Sequence, residues 1–136
     1  MTSIEALNAR SAGKLPGYLG IVFTRAEAAE IEAEVRVRSE LMAPNGYLHA
    51  ATIIALADTA CGYGCFGNLP PGATGFTTTE LKCNYLGTGR DGTIAALAKA
   101  MHLGKTTQVW DAVVTHKESQ TTIALFRCTQ VILYPK

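Results

Sequence analysis

The sequence predicts an α+β fold in which an antiparallel sheet of about six strands wraps round one long buried helix, after a short N-terminal helix. Three observations predict it. Two strand-like stretches precede a long apolar segment and four follow it. That segment, near residues 48–66, is apolar on all sides, which is typical of a buried helix. The connections between the later strands are short, which favours antiparallel neighbours. One helix can be enclosed only by a sheet that curves round it.

The composition favours one globular domain over residues 1–136. The chain is 48% hydrophobic, and its net charge of +1 gives no reason to expect nucleic acid as a partner. Charged residues make up 17%, which predicts surface covered in a homodimer or homotetramer. The N-terminus lacks a signal-peptide pattern, and no segment reaches the roughly 18 apolar residues of a membrane span. The four cysteines fit free thiols in a reducing cytoplasm, so we expect a cytoplasmic protein without membrane contact.

Local signals place the elements before the long helix. Ser3 as N-cap predicts a short helix over residues 3–10, and Pro16-Gly17 is expected to end that region. A run containing Ile21 and Phe23 predicts a first strand, with a turn at residues 26–29. The second strand is predicted by strict alternation of apolar and charged residues, namely Ile31, Ala33, Val35 and Val37 against Glu32, Glu34, Arg36 and Arg38.

Turn signals also frame the helix and the strands after it. Pro44-Asn45-Gly46 precedes a helix expected at about residues 48–66, and Pro70-Pro71-Gly72 breaks the chain beyond it. Asp91-Gly92 marks a turn between the next two strands. Successive strands are expected to be antiparallel neighbours, over residues 76–86, 93–103, 107–116 and 121–134.

Asp58 is the main functional candidate. It is the only charged residue between Glu40 and Glu80, and it lies inside the apolar helix. Burying even a neutral polar group without a partner costs on the order of 2–7 kcal/mol, so a retained carboxylate indicates a role. Catalysis is the interpretation we favour. The alternative is a structural carboxylate that accepts hydrogen bonds from the backbone or from threonines.

Helix geometry limits what Asp58 can do together with His49. The two residues are nine positions apart, so they point to opposite sides and lie about 13 Å apart along the axis. Within one chain they cannot serve one site. Either they are unrelated, or the site is built from two copies of the chain.

The helix carries a family resemblance. His49-Ala50-Ala51, six further residues and then Asp58-Thr59-Ala60 resembles the signature of hotdog-fold acyl-CoA thioesterases, most of all the phenylacetate-degradation-type branch. Members of that branch have His-Gly-Gly and, nine residues after the His, an Asp or Glu, often in the context Leu-Ala-Asp-Thr-Ala. The stretch from Leu81 to Leu86, which ends Asn-Tyr-Leu, also resembles the family strand after the helix.

The resemblance implies a sheet wrapped round the helix, dimers with continuous sheets, often tetramers, and a site between protomers. The backbone N–H of Ala50, just after His49, is implied to polarise the thioester carbonyl. Asp58 of the other protomer is implied to act as a base on water or to attack directly. A threonine in the next strand helps to hold the water. That position falls on Thr78, with Thr77 and Thr79 as alternatives.

The sequence departs from the family pattern in ways that bear on substrate range and rate. Ala50 and Ala51 replace the two glycines. The family usually has Asn or Gln six residues before the His, where this chain has Ala43. Asn45 lies nearby and is a candidate to substitute, to cap the helix, or to serve only the turn. The His49 side chain is expected to cap or pack rather than to do chemistry.

The remaining candidates concern ligand contacts. Arg90 and Lys105 lie in turns and are candidates to bind the phosphates of coenzyme A, or are plain solvated charges. No metal or separate cofactor is expected, because CoA is part of the substrate. The pocket walls are expected to include Ile53, Ile54, Tyr63 and Phe76, while Trp110 is expected in the core or at a subunit interface.

Three functions remain in view. The first is hydrolysis of an acyl-CoA or aryl-CoA thioester to the free acid and CoA. The second is binding of acyl-CoA without turnover, which the alanine replacements allow. The third is a hydratase or dehydratase, although those enzymes need a differently placed His and Asp pair. Release of free thiol separates the first function from the other two.

Overall fold

The computed structural model describes residues 3–136, and Met1 and Thr2 of the predicted domain lie outside the described residues. The described chain has three α-helices: α1 (Ile4–Ser11), α2 (Leu15–Leu19) and α3 (Ala50–Phe66). Its six strands are β1 (Val22–Ala26), β2 (Glu30–Arg36), β3 (Gly75–Tyr85), β4 (Thr93–Leu103), β5 (Thr107–His116) and β6 (Thr121–Leu133). The predicted order of elements is confirmed.

The six strands form one antiparallel sheet in the order β1-β2-β4-β5-β6-β3. The β1–β2, β4–β5 and β5–β6 pairs are neighbours in the chain, as predicted. The expectation that β3 and β4 are neighbours was wrong. Both edges of β4 are taken by β2 and β5, so β3 pairs with β6 at the far edge of the sheet. Residues 86–92 carry the chain back across the end of the sheet.

The inner face of the sheet packs against α3. Alternate residues of β2, β4, β5 and β6 are buried there, as the alternation in the sequence predicts. Trp110 of β5 is fully buried and lies against Gly64 of α3, where an added Cβ would come within 2.6 Å of the indole ring. The glycine therefore lets the sheet approach the helix closely. The expected core position of Trp110 is confirmed.

The helix α3 is not buried on all sides within one chain. Ala51 is exposed, and Ile54, Ala55, Asp58 and Thr59 are half-buried. These residues recur at helical spacing and form a stripe along the helix that the single chain leaves partly uncovered. The expectation of a fully buried helix was therefore wrong for the single chain. The sequence suggested burial because most residues of this stripe are apolar, as are those on the buried side of the helix.

The N-terminal region largely follows the prediction. Ser3 caps α1 by accepting a hydrogen bond from the Ala6 N–H at 3.2 Å. Pro16-Gly17 does not end the helical region as expected, because Pro16 lies in the first turn of α2, where its missing N–H is not needed. None of the helices within residues 3–136 is both long enough and apolar enough to cross a membrane.

Candidate active site

The start of α3 is fixed by contacts to the turn before it and to the connection after β3. In that turn the Ala43 N–H donates to the Tyr47 carbonyl at 2.7 Å, and Gly46 has φ +88°. The Leu48 N–H donates to the Thr88 hydroxyl at 3.0 Å, and the Tyr85 hydroxyl donates to the Ala50 carbonyl at 3.2 Å. The first turn of α3 is therefore held against the end of β3.

The first N–H groups of α3 have three different fates. The Ala51 N–H donates to Nδ1 of His49 at 2.9 Å. The N–H groups of Thr52 and Ile53 donate to the His49 carbonyl, at 2.9 and 3.4 Å. The N–H of Ala50 has no protein acceptor among the described residues. One donor therefore remains free at the positive end of the helix, on an exposed residue.

His49 is the N-cap of α3, in agreement with the expectation that its side chain caps rather than reacts. A ring nitrogen that accepts the Ala51 N–H is not available as a base in this arrangement. By taking that N–H, the ring leaves the Ala50 N–H as the single free donor of the first turn. Capping alone therefore explains why a histidine stands at position 49.

A cleft of about 310 Å³ opens beside this free N–H. Its lining is largely apolar: Tyr47, Leu48, Ala50, Ile53, Tyr85, Gly87 and Thr88. Of the four expected wall residues, Ile53 alone belongs to this lining. Tyr63 instead stacks on Phe23, with ring centroids 4.6 Å apart, and Phe76 packs against Gly62. Tyr63 and Phe76 therefore do not line this cleft.

Asp58 lies in the middle of α3, on its open stripe and half-buried. Burial raises the pKa of its carboxyl above the ordinary value. The hydroxyl oxygen of Thr78 is 3.5 Å from Oδ1 of Asp58. That distance is at the limit of a hydrogen bond, so the contact is weak. The carboxylate therefore has no strong donor among the described residues and is more basic than an exposed aspartate.

The register of β3 selects Thr78 from the three neighbouring threonines. Thr78 pairs with Gln130 of β6 and points inward, toward α3. Thr77 and Thr79 are exposed, and the Thr79 hydroxyl donates to the Thr129 carbonyl at 3.4 Å. The pairing shifts register between Thr78 and Glu80. This bulge lets Thr78, and not its neighbours, face Asp58.

Asn45 lies in the turn before α3, and its side-chain oxygen accepts the Tyr47 N–H at 3.2 Å. Of the alternatives for Asn45, capping of the helix was wrong, because His49 occupies the N-cap position. An asparagine two residues before the N–H that it binds is an ordinary turn device. Its participation in a site stays a prediction.

The two predicted phosphate-binding residues lie at opposite ends of β4. Arg90 is exposed, and its guanidinium lies over the Tyr47 ring, 4.9 Å from the centroid, beside the cleft. Lys105 lies in the turn between β4 and β5. The eleven residues of β4 separate these turns by about 35 Å. One chain therefore cannot place both cations on one nucleotide.

The free N–H of Ala50 and the carboxylate of Asp58 are also apart. Eight positions of one helix separate them, or about 12 Å along its axis. A thioester carbonyl held at Ala50 is therefore beyond the reach of a water molecule activated by Asp58 of the same chain. No group of three or more His, Cys, Asp or Glu residues within residues 3–136 is arranged to hold a metal ion.

The sequence-based reasoning missed four residues around the site. Tyr47, Tyr85 and Thr88 line the cleft or hold the helix start, and the fully buried Gln130 contacts Thr78. The residues after β3 come near α3 only because β3 pairs with β6. A glutamine among apolar residues in the last predicted strand was the one available signal.

Known proteins resemble the chain in sequence and in fold. A model of the thioesterase superfamily matches residues 45–123. The 1,4-dihydroxy-2-naphthoyl-CoA hydrolase of Listeria monocytogenes is 31% identical over 111 residues, which cover 82% of this chain and 89% of that protein.

Two solved structures agree with these sequence matches. The structure of thioesterase HI1161 from Haemophilus influenzae has a TM-score of 0.91 at 26% identity, covering 98% of this chain and 92% of that one. The Escherichia coli PaaI protein from the phenylacetic acid degradation operon shares the fold, with a TM-score of 0.82 at 24% identity over 96% of each chain. The resemblance to hotdog-fold thioesterases is confirmed. The chain belongs to the thioesterase superfamily and is an enzyme that hydrolyses thioesters.

Proposed function

We propose that the protein is an acyl-CoA thioesterase, acting on aliphatic or aromatic acyl groups, whose site is shared between two protomers. Water, deprotonated by Asp58 of one protomer, attacks the thioester carbonyl carbon. The carbonyl oxygen becomes an oxyanion at the Ala50 N–H of the other protomer. The carbon–sulfur bond then breaks, and the CoA thiolate leaves and takes up a proton. The products are the free acid and CoA.

The observation that carries the proposal is the free Ala50 N–H at the start of α3. A donor with no protein acceptor, at the positive end of a 17-residue helix, fits an oxygen that gains negative charge during the reaction. The donor belongs to the backbone, so the replacement of glycine by Ala50 does not remove it. The adjoining cleft offers space for the group bound at that oxygen.

The environment of Asp58 suits a general base. Burial favours the protonated form, so the carboxylate accepts a proton from water more readily than an exposed aspartate does. Thr78 lies where a hydroxyl can hold that water. A base acting on water accounts for both residues, whereas direct attack by Asp58 would leave Thr78 without a role.

Three features support two copies. The separation of Ala50 and Asp58 prevents one chain from completing the site alone. β3 is an eleven-residue edge strand, and the open stripe of α3 lies beside it. Unpaired strand edges favour pairing with another chain, so a dimer through β3 is expected. The outer face of the sheet also exposes Val113 and Leu125, which supports a homotetramer.

The ligand contacts are proposed from charge and shape. Arg90 beside the cleft is the phosphate-binding candidate on the Ala50 side of the site. Lys105 can contribute only from the other protomer. The two tyrosines of the cleft are suited to an aromatic acyl group. The name of the Listeria relative describes such a substrate. A cytoplasmic location, without nucleic acid or membrane partners, is part of the proposal.

The test is thiol release from a panel of aliphatic and aromatic acyl-CoAs by wild type and two variants. Asp58→Asn removes the base, and we expect turnover to fall by about a thousandfold. Ala50→Pro removes the N–H at the first helical position, where proline is tolerated, and is expected to cost about a hundredfold or more. Asp111→Asn and Ala50→Ser are the matched controls, because they keep the proposed base and the N–H.

Three results would overturn parts of the proposal. Normal turnover by Asp58→Asn would remove Asp58 from the chemistry. Wild type that releases no thiol from any CoA thioester, yet is stabilised against heat by a nonhydrolysable CoA thioether, would favour the alternative of acyl-CoA binding without turnover. Retained activity in Ala50→Pro would place the oxyanion elsewhere.

A further inference from the structure

The Thr78 hydroxyl lies between two acceptors. Its oxygen is 2.7 Å from Oε1 of Gln130 and 3.5 Å from Oδ1 of Asp58. Gln130 is fully buried on β6, directly across from Thr78, and its Nε2 lies 3.4 Å from the sulfur of Cys128. The side chains therefore form a chain of contacts from the carboxylate into the core.

A hydroxyl group has one hydrogen to donate. At 2.7 Å the contact with Gln130 is a good hydrogen bond, whereas 3.5 Å is the limit for the contact with Asp58. The hydrogen therefore goes to Gln130. Thr78 then presents a lone pair, and not a hydrogen, to the space next to Asp58.

We propose that Gln130 is a positioning residue whose amide oxygen holds the Thr78 hydrogen away from the Asp58 carboxylate. A buried amide oxygen needs a donor, and Thr78 supplies it, so the arrangement satisfies both groups. If Gln130 is absent, the hydroxyl rotates and donates to Asp58. A donor to the charged form lowers the pKa of a carboxyl, so Gln130 keeps Asp58 basic.

This arrangement matters for the proposed hydrolysis, on which its functional meaning rests. A water molecule between Asp58 and Thr78 must give one hydrogen to the base. Its second hydrogen can be accepted by the lone pair that Thr78 presents. The water oxygen then directs its own lone pair outward, to the thioester carbon. Gln130 thus sets the direction of a hydrogen bond without touching water or substrate.

Other groups around Asp58 do not compete for this role. Burial raises the pKa of Cys65 on α3 to about 12, and the Cys128 thiol, followed by burial, raises that of Cys61. Burial also raises the pKa of Cys83 and that of Tyr85, the latter to about 12. The residues that β2, β4 and β5 bury on the inner face are uncharged, namely Ile31, Ala33, Val35, Ile94, Ala96, Ala98, Gln108, Trp110, Ala112 and Val114. In α2, Leu19 packs against the core and Tyr18 is exposed.

The sheet supplies a matched control. Gln108 of β5 is the register partner of Gln130 and is also fully buried. Its amide accepts from the Trp110 indole at 2.8 Å and donates to the Asn68 carbonyl at 2.8 Å. Asn68 lies beyond the end of α3 and Trp110 lies against Gly64 near that end, whereas Asp58 lies in the middle of the helix. Replacing either glutamine by methionine removes a buried amide of similar size, but only one of the two touches Thr78.

The experiment measures the pKa of Asp58 by NMR of the carboxyl carbon, assigned by its loss in Asp58→Asn. We expect Gln130→Met to lower that pKa by about one pH unit, and Gln108→Met to leave it in place. In a Thr78→Val background, Gln130→Met should change nothing. A pKa that stays or rises in Gln130→Met would overturn the proposal, because it would mean that the amide donates to Thr78 and Thr78 to Asp58.

Thr78→Val alone covers the case in which Gln130→Met does not fold. If the hydrogen goes to Gln130, removing the hydroxyl leaves the Asp58 pKa unchanged, whereas a rise of about one pH unit would contradict us. The acidic limb of kcat/KM against pH is the second readout. A limb that moves with the NMR value supports both proposals. An NMR shift without movement of the limb would reject Asp58 as the base and leave the role of Gln130 intact.

Discussion

The two edges of the sheet are finished in different ways. At one edge, β1 has five residues, and Asn8 of α1 lies against it. The Asn8 side chain accepts the Phe23 N–H at 2.8 Å and donates to the Phe23 carbonyl at 3.2 Å. One asparagine therefore satisfies both backbone groups that would otherwise be open to another strand.

At the other edge, β3 has eleven residues and no element of the described chain lies beyond it. Its exposed side chains include the large apolar Leu81, 39% exposed, and Tyr85, 44% exposed. The same strand carries Thr78. We call the β1 edge closed, because Asn8 covers it at Phe23 within one chain. The β3 edge, which we call open, bears the candidate site and is where a second copy is expected.

The largest effect is predicted for a mixture of two inactive variants. When Asp58→Asn and Ala50→Pro are unfolded and refolded together, half of the dimers are mixed, and each mixed dimer has one site with both groups intact. Activity should recover from near zero to about one quarter of wild type. The measurement is thiol release by the mixture against the sum of the separate variants.

In the control, Asp58→Asn is refolded together with the double variant that carries both Ala50→Pro and Asp58→Asn, so that no protomer in the mixture has Asp58. That mixture should recover nothing. If the first mixture also stays at the sum of its parts while light scattering shows mixed dimers, then the site does not span two protomers and the open edge has another purpose.

The contrast between the edges also marks what the sequence could predict. The bounds predicted for β4 and β5, residues 93–103 and 107–116, agree with the structure because alternation and turn residues are local signals. The pairing of β3 with β6 is a contact between distant segments. No local pattern specifies it, so β3 was placed beside β4.

The same limit applies to the candidate site. Asp58 and Ala50 could be identified because a charge in an apolar helix and a helix start are visible in the sequence. The choice of Thr78 over Thr77 and Thr79 needed the bulge in β3, and Gln130 became relevant only through the register between β3 and β6. Asn8 gave no signal, because its role depends on how α1 docks on β1.

At the closed edge, Asn8→Ala is predicted to destabilise the fold. The change leaves the N–H and carbonyl of Phe23, whose side chain is buried, without partners, which should lower the free energy of unfolding by about 1–3 kcal/mol. Asn84→Ala, at an exposed position of β3, should change it by less than about 0.5 kcal/mol. Urea unfolding measures both. Equal effects of the two variants would mean that Asn8 does not close the edge.

The smallest effect concerns the cost of keeping Asp58 at the open edge. Burial raises the pKa of its carboxyl in the folded protein, so the folded state binds a proton more readily than the unfolded state. The charged form therefore weakens the fold, and this loss of stability develops as pH rises through the raised pKa. Asp58→Asn should raise the midpoint of thermal unfolding at neutral pH, and the gain should shrink as pH falls through the raised pKa and be absent below the ordinary pKa of aspartate. Asp111→Asn, which breaks the contact with Arg127 on the outer face, should show no such gain.

A midpoint for Asp58→Asn below that of wild type at neutral pH would show that Asp58 is held by stabilising contacts. Such a carboxylate would serve the structure rather than act as a poised base.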